Sequence, residues 1–143
     1  MASDKPQTYF IDSNIFLRTL IKEDEKTFKE CFNFLSLVQN KKIRAVTSDL
    51  VLAEINWVLE SYYKFSKVKV ISALEGITNL RGLTIKSATN PIVAVDLYQR
   101  NDIKFIDALT ASDKLFASGT IIVSYDKDFD KLKIVRVIPS QAG

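Results

Sequence analysis

The chain has 143 residues, 47% of them hydrophobic and 26% charged, with a formal net charge of +3, which is typical of one globular domain and excludes a loop-rich or low-complexity protein. It has no histidine and one cysteine, Cys31, so Ser-His-Asp and Cys-His catalysis, histidine metal sites and an internal disulfide framework are excluded. No signal-peptide core and no run of about 18 apolar residues is present, so we expect a cytoplasmic protein without a membrane span.

Strand patterns alternate with helix patterns along the whole chain. A short buried strand at residues 9–11 leads through Asp12 into a first helix. There follow a helix over about 26–39, a strand at 44–47, helices over about 49–63 and 66–81, a strand at 83–85, helices over about 91–100 and 106–116, and strands at 121–123 and 134–138. This order predicts one α/β domain over residues 1–143, with a core from about 9 to 139. Its fold would be a three-layer α/β/α sandwich around a central, mostly parallel sheet.

Helical periodicity predicts which side chains of the helices face the core. The predicted inward residues are Phe28, Cys31, Phe32, Leu35 and Val38 in the helix at 26–39, Tyr62 in the next helix, and Ala94, Val95, Leu97 and Tyr98 in the helix that Pro91 opens.

Four acidic residues differ from the others, such as Glu30, which lie among lysines. Asp12 and Asp126 follow buried strands, and Asp107 lies in the first turn of a helix. Glu54 has only apolar neighbours three and four positions away, so no cation on its own helix can pair with it. Each also has an ordinary explanation: a helix N-cap for Asp12, a helix-dipole contact for Asp107, an Asx turn for Asp126 and a solvent-reaching flank for Glu54.

The placement of the four acids in the predicted sheet matters more than any one of them. The carboxyl ends of parallel strands and the starts of the following helices share one edge, so the four acids can meet in one cleft. Carboxylates there would repel by energies on the order of several kcal/mol unless they are protonated or bind a divalent cation. Oxygen-only ligands favour Mg²⁺ or Mn²⁺, and such a site can hydrolyse a phosphodiester without histidine.

Around these acids the sequence resembles the PIN-domain ribonucleases and is most similar to the VapC-type toxins of toxin–antitoxin pairs. The matching motifs are residues 10–14 (FIDSN), 52–55 (LAEI), 105–108 (FIDA) and 122–129 (IVSYDKDF). They occur in the family's order and extend the resemblance over about residues 9–139. Ser124 stands where many relatives have threonine, which keeps the hydroxyl group.

The resemblance implies a Mg²⁺- or Mn²⁺-dependent endoribonuclease whose catalytic, metal-binding quartet is Asp12, Glu54, Asp107 and Asp126. It also implies an RNA substrate, a small antitoxin protein that blocks the cleft, and a homodimer. Supporting hydroxyl or amide groups would come from Ser13, Asn14 and Ser124, and Asp128 would be an outer or alternative fourth acid. Candidate phosphate contacts are Arg18, Lys104 and Lys127, which lie near the acidic motifs.

Two other functions fit parts of the pattern. A non-catalytic RNA- or protein-binding module on the same PIN-like fold would bind RNA or a partner without metal-dependent cleavage. A phosphohydrolase of the haloacid-dehalogenase type needs a second carboxylate two residues after the first aspartate. This chain has Asn14 at that position, which disfavours the phosphohydrolase.

Overall fold

Five short parallel strands form one sheet in the computed structural model, which describes residues 6–143. The strands are β1 (Thr8–Ile11), β2 (Arg44–Thr47), β3 (Leu83–Ile85), β4 (Ile121–Val123) and β5 (Arg136–Val137). Their order across the sheet is β3-β2-β1-β4-β5, which places β1 at the centre. The predicted α/β fold with a parallel sheet is confirmed, although β5 is shorter than the strand predicted at residues 134–138.

Within residues 6–143, six α-helices and two short 3₁₀ turns connect the strands, and a third 3₁₀ turn follows β5. The helices are α1 (Ser13–Leu20), α2 (Glu25–Gln39), α3 (Asp49–Ser61), α4 (Lys67–Thr78), α5 (Pro91–Arg100) and α6 (Phe105–Ala111), and the 3₁₀ turns are Lys114–Ser118, Lys127–Lys131 and Pro139–Gln141. The helix predicted over residues 106–116 is divided because the buried Asp113 carboxylate accepts a hydrogen bond from the Leu115 N–H and starts a new turn. Within the described part of the chain, no helix is long and apolar enough to cross a membrane.

The sheet register places the ends of β1 and β4 side by side. Ile11 pairs with Val123, and the Asp12 N–H donates to the Val123 carbonyl at 3.1 Å. On the other side of β1, the buried Thr47 hydroxyl at the end of β2 donates to the Ile11 carbonyl at 2.8 Å. The carboxyl ends of three adjacent strands therefore meet at one edge of the sheet.

The phase of two helices differs from the predicted one. In α2 the buried side chains are Cys31, Phe34 and Val38, whereas Phe32 is 56% exposed and stacks on Phe28 at the flank. Cys31 is buried as predicted. In α5, Ala94 is the one fully buried residue, and Val95 and Tyr98 are exposed. Tyr62, which was predicted to face the core, follows the end of α3 and is 74% exposed. Apolar residues covered more than one face of each helix, so periodicity alone did not select the face that packs on the sheet.

Gly82, just before β3, lies against the backbone at the end of α2. A Cβ atom there would lie 2.1 Å from the Val38 carbonyl oxygen, whereas one at Gly76 inside α4 would meet nothing within 4 Å. We expect Gly82→Ala to lower the unfolding free energy by about 2–4 kcal/mol, because backbone must move. The control Gly76→Ala should raise it by about 0.5–1 kcal/mol, since alanine favours a helix interior. Urea denaturation measures both, and equal midpoints would contradict this packing.

Candidate metal centre

Asp12 lies between β1 and α1 and is 5% exposed. Its carboxylate accepts hydrogen bonds from the Ser13 N–H at 2.9 Å, the Asn14 side-chain amide at 3.0 Å and the Ser124 hydroxyl at 2.6 Å. Burial raises the pKa of Asp12 to about 6, against the lowering effect of the Ser124 and Ser13 hydrogen bonds, and the charges of two further carboxylates add to the rise. Those carboxylates belong to Glu54 and Asp126.

Asp107 lies in the first turn of α6 and is 8% exposed. Burial raises its pKa to about 7, and the charges of Asp126, Asp12 and Glu54 contribute in that order, partly offset by Lys104. Its Oδ2 atom is buried and has no hydrogen-bond partner among residues 6–143. A buried carboxylate oxygen without a donor is costly, so this atom is a candidate cation ligand.

Carboxylate oxygens of Asp107, Asp126 and Asp128 all lie within 4.8 Å of one another. Asp126 starts the 3₁₀ turn after β4, and its Oδ1 accepts a hydrogen bond from the Asp128 N–H at 2.9 Å. Asp128 also pairs with Lys131, whose Nζ lies 3.1 Å from Oδ1. Oxygen atoms at this spacing, with no nitrogen or sulfur ligand nearby, fit a small hard divalent cation.

Glu54 and Asp12 lie outside that trio of oxygens but within electrostatic reach of it. Glu54 is half-buried on α3, and its charge raises the pKa of both Asp12 and Asp107. The structure therefore brings all four predicted acids to the same edge of the sheet, and carboxylate oxygens of Asp107 and Asp126 lie within 4.8 Å of each other. Their individual roles remain predictions.

Ser124 is the hydrogen-bonding centre of the site and is fully buried. Its hydroxyl donates to Asp12 and accepts from the Asn14 amide at 3.1 Å and from the Asp126 N–H at 3.0 Å. The predicted supporting positions thus connect the end of β1 to the loop after β4. Ser13 contacts Asp12 through its backbone N–H.

The roles of Tyr125 and Glu30 beside the site were not predicted from the sequence. Tyr125 donates a hydrogen bond from its hydroxyl to Glu30, an acid that the sequence places among lysines. Arg18, predicted as a phosphate contact, lies over the Tyr125 ring and donates to Thr27. No local pattern signals these contacts, because 95 residues separate Tyr125 from Glu30.

A family model described as PIN domain matches residues 9–135. The chain belongs to the PIN domain family. The resemblance drawn from the four acidic motifs is confirmed at the level of the family. Comparison with curated proteins gives no match.

Solved structures with the same fold include the following three proteins. VapBC2 from Rickettsia felis, bound to a promoter DNA fragment, has 21% identity and a TM-score of 0.67, with 92% of this chain and 98% of that chain covered. VapC20 from Mycobacterium tuberculosis, a toxin that cleaves the sarcin-ricin loop, has 19% identity, a TM-score of 0.69 and coverages of 92% and 99%. FitAcB from Neisseria gonorrhoeae has 13% identity, a TM-score of 0.62 and coverages of 93% and 99%.

Proposed function

We propose that this PIN domain protein is a divalent-metal-dependent endoribonuclease that hydrolyses RNA phosphodiester bonds. The observation that carries the proposal is the buried Asp107 oxygen without a partner, which lies among carboxylates that raise its pKa. Folding concentrates negative charge there, and a divalent cation is the group that offsets it. Membership of the PIN domain family supports nuclease chemistry for such a centre.

The residues present fit Mg²⁺ or Mn²⁺, because all candidate ligands are carboxylate oxygens. We assign the ligands to Asp12, Glu54, Asp107 and Asp126. Asp128 takes an outer position, since its Oδ1 already pairs with the Lys131 ammonium group. When bound, a divalent ion supplies an activated water and offsets charge on the phosphodiester.

The protein's own groups prepare the site for that chemistry. Ser124 and Asn14 hold one Asp12 oxygen by two hydrogen bonds, which fixes the direction of the carboxylate before substrate arrives. Asp107 is itself 8% exposed, so little bulk water reaches its carboxylate and charge–charge interactions are stronger there than on an open surface. These contacts orient the ligands without requiring a histidine.

Asp12→Asn tests the proposal, because asparagine keeps a hydrogen-bond acceptor but removes the charge. With a labelled RNA, we expect cleavage that requires Mn²⁺ or Mg²⁺, stops with a chelator, and falls by roughly a thousandfold in Asp12→Asn. Circular dichroism controls for folding. Equal cleavage by the variant, in preparations free of contaminating nuclease, would rule the proposal out. RNA binding without metal-dependent cleavage would instead favour the non-catalytic binding module.

We further propose that the nuclease is a toxin held inactive by a small antitoxin protein in the cytoplasm. Support comes from the resemblance to VapC-type toxins and from an apolar groove with a volume of about 380 Å³ between α1, α2 and α4. Such a groove fits the apolar face of a partner helix. Its apolar lining includes Phe16, Leu20, Leu35, Phe65, Ala73 and Ile77.

A second copy of the chain is the proposed partner of α5, whose outer side is apolar. Ile92 is 84% exposed, and the ring centroids of the exposed Tyr98 and Phe105 lie 5.5 Å apart. Burying this apolar surface between two copies would stabilise the homodimer. Light scattering should give twice the chain mass of 16.2 kDa, and Ile92→Asp should shift the protein to monomer. A monomeric wild-type protein at micromolar concentration would contradict the dimer.

A further inference from the structure

Tyr125 occupies the position between two residues of the candidate site, Ser124 and Asp126. Its hydroxyl donates to Glu30 Oε2 at 2.8 Å and lies 3.7 Å from Cys31 Sγ. The guanidinium carbon of Arg18 lies 4.7 Å from the centre of the Tyr125 ring. The tyrosine ring is therefore held on its face by a cation and at its tip by an acid.

These contacts attach the loop after β4 to one helix. Glu30 and Cys31 both belong to α2, and Arg18 of α1 donates to the Thr27 hydroxyl of α2 at 3.2 Å. Burial, followed by the hydrogen bond to Glu30, raises the pKa of the Tyr125 hydroxyl. The hydrogen bond from the Tyr125 hydroxyl to Glu30 thus joins the loop to α2.

The backbone of Tyr125 continues the connection into the site. Its N–H donates to Asn14 Oδ1 at 3.3 Å, while the other end of the Asn14 amide contacts Asp12 and Ser124. The next residue, Asp126, donates its N–H to the Ser124 hydroxyl. A displacement of the Tyr125 side chain would therefore move the backbone that sets the distance between Asp126 and Asp12.

We propose that Tyr125, Glu30 and Arg18 form a latch through which α2 holds the loop at residues 124–128 in the geometry that binds the metal. This inference rests on the proposed metal-dependent function and makes the three latch members positioning residues. Groups that orient metal ligands commonly contribute ten- to a hundredfold in metal affinity, roughly. The latch also means that whatever displaces α2 weakens the metal site.

Four variants separate positioning from simple packing. Tyr125→Phe keeps the ring under Arg18 but removes the hydroxyl, and Glu30→Ala removes its acceptor. Glu30→Gln retains an acceptor oxygen and serves as the conservative rescue. Tyr62→Phe is the matched control, since it removes a tyrosine hydroxyl from an exposed side chain on the same protein.

Two measurements on the 143-residue chain test the latch. Calorimetric titration with Mn²⁺ gives metal affinity, and amide hydrogen exchange by NMR gives the opening of the loop without metal. We expect Tyr125→Phe and Glu30→Ala to weaken Mn²⁺ binding about tenfold and to speed exchange at Asp126 and Asp128. Glu30→Gln and Tyr62→Phe should match the wild type. The double variant of Tyr125→Phe and Glu30→Ala should be no weaker than either single one, since both remove the same contact.

The outcomes distinguish failure of the latch from failure of the proposed function. If the wild type binds Mn²⁺ and the two latch variants bind it equally well, the latch has no positioning role, even where their thermal stability falls. If the wild type itself binds no Mn²⁺, the proposed metal-dependent function fails and the positioning role fails with it. Weaker Mn²⁺ binding by the two variants, restored in Glu30→Gln, supports the latch.

Discussion

Asp107→Asn is expected to abolish RNA cleavage and, at the same time, to make the metal-free protein more stable. The loss of cleavage should be roughly a thousandfold, which corresponds to the several kcal/mol that a bound metal ion contributes to phosphodiester hydrolysis. Most substitutions of a buried residue lower stability, so the opposite sign for stability is the informative part. The expected gain in stability follows from the negative charge on the buried Asp107 carboxylate.

The stability gain has a definite cause. Burial and then the neighbouring carboxylates raise the pKa of Asp107 to about 7, so its ionised form at pH 7.5 opposes folding. The neutral amide removes this opposition, and we expect a gain of about 1–3 kcal/mol in the unfolding free energy. Urea denaturation in the presence of a chelator measures it.

A surface aspartate provides the matched control for this substitution. Asp96→Asn removes the same charge from an exposed carboxylate that pairs with Arg100, and its effect on stability should stay within about 0.5 kcal/mol. Wild-type cleavage by Asp107→Asn, or a metal-free Asp107→Asn protein that is less stable than wild type, would contradict the assignment of Asp107 as a metal ligand.

The metal-free protein should lose stability as the pH rises from about 4 to 8, and Mn²⁺ should restore it. Both Asp12 and Asp107 have an ordinary pKa near 3.8, raised by folding to about 6 and about 7. At pH values between the ordinary pKa and the raised pKa of each group, the folded state binds more protons than the unfolded state. The unfolding free energy therefore falls as the pH rises. We expect a fall on the order of 2–4 kcal/mol in total.

Metal and protons compete for the same oxygens, so the effect of Mn²⁺ should depend on pH. Melting temperatures in chelator and in millimolar Mn²⁺ should differ strongly at pH 8 and little at pH 5. Hydrogen bonds lower the pKa values of Asp24 and Asp130, so these two groups make the unfolding free energy rise with pH, but only below about pH 4. Asp107→Asn should remove much of the pH dependence; an unchanged profile in that variant would assign the effect to other groups.

The parts of this structure that the sequence predicted are those with a strong local signal. A buried strand followed by an acid predicted both the position of Asp12 at a strand end and its proximity to Asp126. Strand–helix alternation predicted the parallel sheet. The helical faces were harder, because Phe28, Phe32 and Phe34 offer α2 more than one apolar side and only tertiary packing selects Phe34.

Contacts between distant segments were outside the reach of local patterns. The approach of Asp128 to Asp107 depends on how the 3₁₀ turn after β4 packs against α6. The bond between Tyr125 and Glu30 needs α2 and the end of β4 to be adjacent, which no spacing in the chain reveals. The sequence alone therefore predicted Glu30 to be an ordinary surface acid.

A crystal structure of the wild-type protein grown with Mn²⁺ tests most directly whether distant carboxylates share one ion. We predict an anomalous scattering peak about 2.1–2.2 Å from oxygens of Asp107 and Asp126, with Asp12 and Glu54 as direct or water-mediated ligands. A peak on a different face of the protein, or no peak at this site in millimolar Mn²⁺, would contradict the metal centre and the nuclease function proposed from it.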